Sequence, residues 1–193
     1  IEAQYEKMVD QFFSGVNVKV DKNQLSIQVD ISKSFSDLSD SEKRSLMLFN
    51  GVMANYHSGR ERFDLFEKFN GRTTIFGSSD SSAWIRSAHQ LSFNSSRVFD
   101  GYEKRYRWVR KGILKLLEGH EKNSDSTDLL AIAAMYIGGK VGRADDSVQH
   151  IELFAKDKDL HQRLEKYVDL ATVRDVNKKV NCFLVAKELT EYC

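Results

Sequence analysis

The chain contains no proline among its 193 residues, although glycine occurs 11 times. Its turns must therefore use Gly, Asn, Asp and Ser, and a proline-rich linker is excluded. No apolar run approaches the about 20 residues that a membrane-spanning helix needs. The only cysteines, Cys182 and Cys193, lie close together near the end of the chain. We expect two unpaired thiols in a reducing compartment, because a bridge between them would close only a short terminal loop.

The chain also lacks a large excess of either charge, because its 29 Lys and Arg residues are balanced by 28 Asp and Glu residues. The net charge of +1 encodes no overall attraction to nucleic acid or to anionic lipid. Hydrophobic residues make up 41% of the chain, enough for a folded core. We expect a cytoplasmic protein, with a processed periplasmic or secreted form as the alternative. Since the chain begins at Ile1, we expect an initiator, signal or longer leader to have been removed or left out.

The clearest local pattern is an alternation of apolar and polar residues over residues 16 to 31. Four polar residues, 21 to 24, interrupt it, which predicts a β-hairpin. Ser39 and Glu42 then form a capping box. The apolar residues after it recur at intervals of three and four and predict a helix to about residue 57 with one apolar face, made by Leu46, Phe49, Val52, Met53 and Tyr56. Asn70-Gly71 is a preferred hairpin turn and stands between two runs of apolar residues. It predicts a second hairpin over residues 63 to 76, with a helical turn as the alternative for the first arm because Phe63, Phe66 and Phe69 are three apart. A helix over residues 2 to 13 is also predicted.

Beyond the Ser-rich segment 77 to 82, which is predicted to end in a helix cap, the periodicity is helical. The predicted helices cover about residues 82–92, 96–119, 127–139, 146–156, 159–170 and 173–191. Gly101 and Gly112 are expected to kink or shorten the second of these. The last one carries apolar residues on two faces, which is typical of a central or subunit-covered helix.

We therefore predict an α+β fold, with a small antiparallel sheet and one packed helix followed by an α-helical bundle. Residues 1–77 would form the α+β unit, built as hairpin, helix and hairpin. Residues 78–193 would form the bundle, packed on that unit as one compact body.

One helix carries a dense basic stretch with aromatic residues between the charges. Basic groups can neutralise phosphates while an aromatic ring stacks on a base. The alternative is an amphipathic helix whose basic groups form its solvated side. The nucleic-acid hypothesis assigns binding within residues 102–115 to Lys104, Arg105, Arg107, Trp108, Arg110 and Lys111.

Arg143 and His150 are separated by six residues. This spacing resembles the catalytic pair of HEPN-type ribonucleases, which are all-helical dimers. The resemblance implies that Arg143 steadies a phosphate while His150 transfers a proton. Asp145, Asp146 and His150 could approach a divalent ion, but capping of a helix by the aspartates is the simpler interpretation. We predict no metal site and no cofactor.

No nucleophile motif, phosphate loop or dinucleotide-binding motif is present in the sequence. We therefore favour a non-catalytic protein-interaction or regulatory module, which acts through a sheet edge or a helical face. Its partner would be another protein or a second copy of the chain. The nucleic-acid-binding helix and the ribonuclease pair remain the two alternatives.

Overall fold

A computed structural model describes residues 37–193 together with two three-residue strands, β1 (Lys19–Asp21) and β2 (Ser26–Gln28). The strands pair antiparallel, with Val20 opposite Ile27. This pairing lies within the predicted first hairpin, whose turn lies outside the described residues. The predicted helix over residues 2 to 13 also lies outside them.

The described chain from residue 37 onward is helical. Its α-helices are α1 (Asp40–Ser58), α2 (Phe63–Phe76), α3 (Ser81–His89), α4 (Tyr102–Lys122), α5 (Thr127–Met135), α6 (Ser147–Lys156), α7 (Lys158–Leu164) and α8 (Cys182–Tyr192). Two of them continue into π-helices. A first π-helix (Gln90–Ser95) extends α3 and leads into a short 3₁₀ turn (Ser96–Val98), and a second π-helix (Tyr136–Val141) extends α5.

The predicted α+β fold class is wrong, and the molecule is a helical bundle. Residues 63 to 76, which the Asn70-Gly71 signal assigned to a second hairpin, form α2 instead. The burial of apolar side chains favours the helix over the hairpin, because Phe66 and Phe69 lie on one side of the helix and are fully buried. The Asn70 side chain donates to the carbonyl oxygen of Ser87 at 3.3 Å, so it serves a contact between helices rather than a turn.

Two of the caps that the sequence predicts are present, whereas Asp146, at the N-cap position of α6, makes no side-chain cap bond. The hydroxyl of Ser39 accepts the backbone N–H of Glu42 at 3.3 Å, and the Glu42 carboxylate accepts the N–H of Ser39 at 2.8 Å. These two bonds confirm the capping box at the start of α1. At the end of the Ser-rich segment, Asp80 accepts the N–H of Ser82 at 2.9 Å and caps α3.

The predicted last helix is too long by more than two turns. Residues 173 to 180 form an irregular loop closed by a β-bridge between Arg174 and Val180, and α8 begins only at Cys182. Asn181 accepts the N–H groups of Phe183 and Leu184 and so fixes this start. The apolar face predicted across this boundary does not exist as one helical face.

Helix α4 is the centre of the bundle. It packs against α3, both π-helices, α5, α6 and α7, while α8 covers α5 and α1 pairs with α2. The buried apolar residues form two clusters. The first cluster surrounds the middle of α4 and includes Ile113, Leu116, Leu129, Phe154 and Val185. The second lies between α1, α2 and α4 and includes Leu46, Phe66, Phe69 and Trp108.

A single carboxylate fixes the corner between α6 and α7 against α4. Asp157 accepts the Tyr106 hydroxyl at 2.9 Å and the Arg110 guanidinium at 2.8 Å. Its other oxygen accepts the N–H of Leu160 at 3.1 Å and caps α7. Burial and the neighbouring Asp157 carboxylate raise the pKa of Tyr106 far above its ordinary value, so the phenol stays protonated as the donor.

Candidate functional site

A cavity of about 380 Å³ opens where the two π-helices meet α4 and α6. This volume lies within the range of pockets that hold small molecules. We call it the basic cavity and define it by the residues that carry its chemistry, namely Phe93, Arg97, Arg105, Lys140, Asp145, Asp146 and His150.

Irregular helix geometry brings these residues together. Phe93 belongs to the first π-helix and Lys140 to the second, while Arg97 lies in the 3₁₀ turn that follows the first. Helix α4 contributes Arg105 and α6 contributes His150. π-Helices are rare and are often found at functional sites. Here both of them contribute to the wall of one cavity.

Arg105 is held in place by two hydrogen bonds. Its Nε atom donates to the carbonyl oxygen of Phe99 at 2.8 Å, and Nη1 forms an ion pair with Asp146 at 2.8 Å. The same Asp146 carboxylate lies 4.0 Å from Nε2 of His150. The positive charge of Arg105 is therefore already balanced within the cavity wall.

Arg97 and Lys140 differ from Arg105 in this respect. No carboxylate within residues 37–193 lies within ion-pair distance of either side chain. The Lys140 ammonium lies 5.0 Å from the centre of the Phe93 ring. Burial lowers the pKa of Lys140, and the nearby positive charge of Arg97 lowers it further, although Asp145 and Asp146 oppose this.

His150 is buried at the floor of the cavity. Its Nε2 atom donates to the carbonyl oxygen of Tyr102 at 3.1 Å, which leaves Nδ1 as the acceptor of a neutral ring. Nδ1 is buried and has no hydrogen-bond partner in the described structure. Burial lowers the pKa of His150, opposed by the backbone carbonyls of Tyr102 and Lys140 and by Asp146.

Arg143, the predicted partner of His150, is not among the residues that line this cavity. Its guanidinium group lies 5.8 Å from the centre of the Phe183 ring on α8. His150 instead has Arg105, Arg97 and Lys140 around it. These residues are spread over more than 40 positions and carry no motif, so only the tertiary structure reveals the site.

The predicted nucleic-acid residues on α4 are distributed among different contacts. Trp108 is buried in the second apolar cluster and packs against Phe63, Phe66 and Phe99. Arg110 pairs with Asp157, and Lys111 pairs with Glu67. Arg105 lines the basic cavity, while Lys104 and Arg107 are exposed to solvent.

A second feature lies on α1, which the sequence predicted to bury one face containing Val52 and Tyr56. Leu46 of that predicted face is buried, and Phe49 and Met53 are partly buried, but the other fully buried residues are Met47, Asn50, Ala54 and His57. Leu48, Val52 and Tyr56 are 58%, 64% and 43% exposed, and we call this row of three the α1 stripe. It borders a groove of about 210 Å³.

No protein family, curated protein or solved structure matches this chain. Within the described residues, no three His, Cys, Asp or Glu side chains are grouped so as to hold a metal ion. No helix in the same part of the chain is both long enough and apolar enough to cross a bilayer.

Proposed function

We propose that this protein is a non-catalytic interaction module that binds an acidic amphipathic helix of another protein along the α1 stripe. The observation that carries the proposal is a row of residues at intervals of four. It reads Arg44, Leu48, Val52, Tyr56 and Arg60, with an arginine at each end of the apolar stripe. Residues four apart are neighbours on a helix surface, so Arg44, Leu48, Val52 and Tyr56 form a continuous row on α1. Arg60 lies in the turn after α1 and continues the row through its contact with the Tyr56 ring.

The dimensions of the row suit a helix of two to three turns. From Leu48 to Tyr56 the stripe is about 12 Å long, since a helix rises 1.5 Å per residue. Amphipathic helices dock in apolar grooves through side chains spaced by three and four residues. The groove beside the stripe contains Gly51, which leaves room between Leu48 and Val52 for a partner side chain.

The positive charges around the stripe favour an acidic partner. Arg44 and Arg60 are exposed, and the Arg60 guanidinium lies 4.6 Å from the centre of the Tyr56 ring. Arg86, at the rim of the groove, reaches one carboxylate among the described residues, that of Asp80 at 3.8 Å. Three arginines around an apolar row favour a partner whose apolar residues are flanked by Asp or Glu.

The exposed area of three side chains is small compared with a stable protein interface. We therefore expect weak and reversible binding, with a dissociation constant on the order of 10–100 μM, which suits a regulatory contact.

Fewer observations support the two alternative functions. Nucleic-acid binding retains Lys104 and Arg107 as exposed cations, and the ribonuclease hypothesis retains His150 without Arg143 beside it.

The test uses two synthetic helical peptides with the same apolar spacing, one flanked by Glu and the other by Lys. Fluorescence anisotropy should show that the Glu peptide binds at least tenfold more tightly. Val52→Glu should abolish this binding. Val148→Glu is the matched control, because Val148 is a helical valine with a similar exposure of 70%, and it should bind normally.

Three results would contradict the proposal. The first is equal binding of both peptides, and the second is equal loss of binding in the two variants. The third is self-association measured by light scattering that Val52→Glu abolishes, because the occupant of the stripe would then be a second copy of this chain.

A further inference from the structure

We infer that the basic cavity binds the phosphate group of a small anionic ligand. The inference concerns a different surface from the α1 stripe and does not depend on the proposed function. It rests on the convergence of Arg97, Arg105 and Lys140 on one cavity, on the unequal pairing of their charges, and on the buried His150 at its floor.

The charges of the cavity favour an anion. Arg97, Arg105 and Lys140 line it against two carboxylates, Asp145 and Asp146, so cations are in excess. Asp146 pairs with Arg105, whereas Arg97 and Lys140 have no carboxylate at ion-pair distance in the described structure. A phosphate monoester is negatively charged at pH 7 and offers three acceptor oxygens, so it can pair with both side chains at once.

The geometry of the donors also favours phosphate over a carboxylate. The planar guanidinium of Arg97 can donate two parallel hydrogen bonds to two phosphate oxygens, whereas Lys140 acts as a single cationic donor. A carboxylate has only two acceptor oxygens, so it offers fewer acceptors to Arg97 and Lys140 than a phosphate group does. The Nδ1 atom of His150, which has no hydrogen-bond partner in the described structure, adds a further polar group.

Phe93 limits what else the ligand can contain. His89 stacks on the ring at 4.8 Å and 9°, and the Lys140 ammonium occupies the space 5.0 Å from the ring centre. Tyr136 meets the ring edge to face at 5.1 Å. The ring is therefore not free to stack on a nucleobase. This favours a small phosphorylated metabolite over a strand of RNA, whose bases would need aromatic platforms.

The binding test uses inorganic phosphate and ribose 5-phosphate, with sodium chloride at matched ionic strength and unphosphorylated ribose as references. Isothermal titration should give saturable binding of one phosphate group per chain. Arg97→Gln and Lys140→Gln should each weaken it about tenfold or more. Lys104→Gln and Arg107→Gln remove exposed cations of nearby α4 outside the cavity, and both should bind within twofold of the parent protein.

Arg97 is exposed, so the Arg97→Gln variant should fold normally. It therefore still tests the cavity if the Lys140→Gln variant does not fold. Tighter binding of ribose 5-phosphate than of phosphate would identify a phosphomonoester, and equal binding would identify the phosphate ion itself. The inference is overturned if neither probe binds below about 10 mM. It is equally overturned if the two control variants lose as much affinity as the cavity variants, because binding would then reflect surface charge alone.

Discussion

At the scale of single residues, Gly112 shows how closely α4 approaches the first π-helix. A Cβ atom at this position would lie 1.9 Å from the Ser92 hydroxyl oxygen and 2.7 Å from the carbonyl oxygen of Ala88. The sequence suggested that Gly112 kinks or shortens its helix, but α4 runs through it from Tyr102 to Lys122. Gly101 is the residue that sets the boundary, with a φ of 87° immediately before α4.

Gly112→Ala should therefore destabilise the protein by about 1–3 kcal/mol, because the new methyl group must displace backbone as well as a side chain. Chemical denaturation followed by circular dichroism measures the change. Gly71→Ala is the matched control within a helix, since a Cβ atom there meets nothing within 4 Å. It should stabilise the protein by about 0.5–1 kcal/mol through helix propensity. A loss of stability in both variants, equal in size, would contradict the packing argument.

At the scale of elements, local signals in the sequence succeeded where the interaction they describe is itself local. The capping box of Ser39 and Glu42 involves residues three apart, and it is present as predicted. Asn70-Gly71 failed because its turn preference is worth less than the burial of Phe66 and Phe69, which only the tertiary structure provides. The exposure of the α1 stripe was not predicted, because Val52 and Tyr56 have the same helical spacing whether their side of α1 faces the core or the solvent.

The π-helices could not be predicted from periodicity. Each begins inside a segment that the sequence correctly predicted as helical, over about residues 82–92 and 127–139. A change from α to π geometry rotates the side chains that follow it, so the residues facing the basic cavity are not those that a regular α-helix would place there. Only His150, among the residues defining the cavity, was considered in the sequence for acid–base chemistry.

The start of α8 gives a prediction at the same scale. Asn181 is the N-cap, and its side-chain oxygen accepts two backbone N–H groups at 2.9 and 3.2 Å. Asn181→Ala should lower the free energy of unfolding by about 1 kcal/mol, as measured by thermal or urea denaturation. Asn181→Asp preserves the acceptor and should retain the stability of the parent protein. If the aspartate variant is as unstable as the alanine variant, capping is not the role of this side chain.

At the scale of the whole molecule, buried histidines link stability to pH. Burial lowers the pKa of both His150 and His161 below the ordinary value of 6.5. Above pH 6.5 both rings are neutral in the folded and unfolded states. As the pH falls below 6.5, the unfolded chain takes up protons that the folded protein does not, so the free energy of unfolding decreases.

For each histidine the slope cannot exceed about 1.4 kcal/mol per pH unit, and it vanishes once the pH is below the lowered pKa of the ring in the folded state. Urea denaturation at intervals between pH 7 and 5.5 measures it. His161→Gln should remove one histidine's share of the slope, whatever it does to stability at pH 7. An unchanged slope in His161→Gln would contradict the assignment.

The division of the chain into two units after residue 77 remains a prediction. The second apolar cluster contains residues from both sides of that boundary. Trp108 of α4 lies against Phe63 and Phe66 of α2, and Leu91 of the first π-helix belongs to the same cluster. Within the described part of the chain, residues 37–76 therefore share a core with residues from later in the sequence.

This arrangement has a consequence for the order in which the chain is made. Trp108 is synthesised about 30 residues after the end of α2, a delay of roughly 2–6 s at typical rates of translation. During that interval the apolar sides of α1 and α2 can pair with each other but lack the indole ring that covers them in the folded protein. The nascent chain is then most exposed to aggregation and to capture by chaperones, well before the ribosome reaches α5.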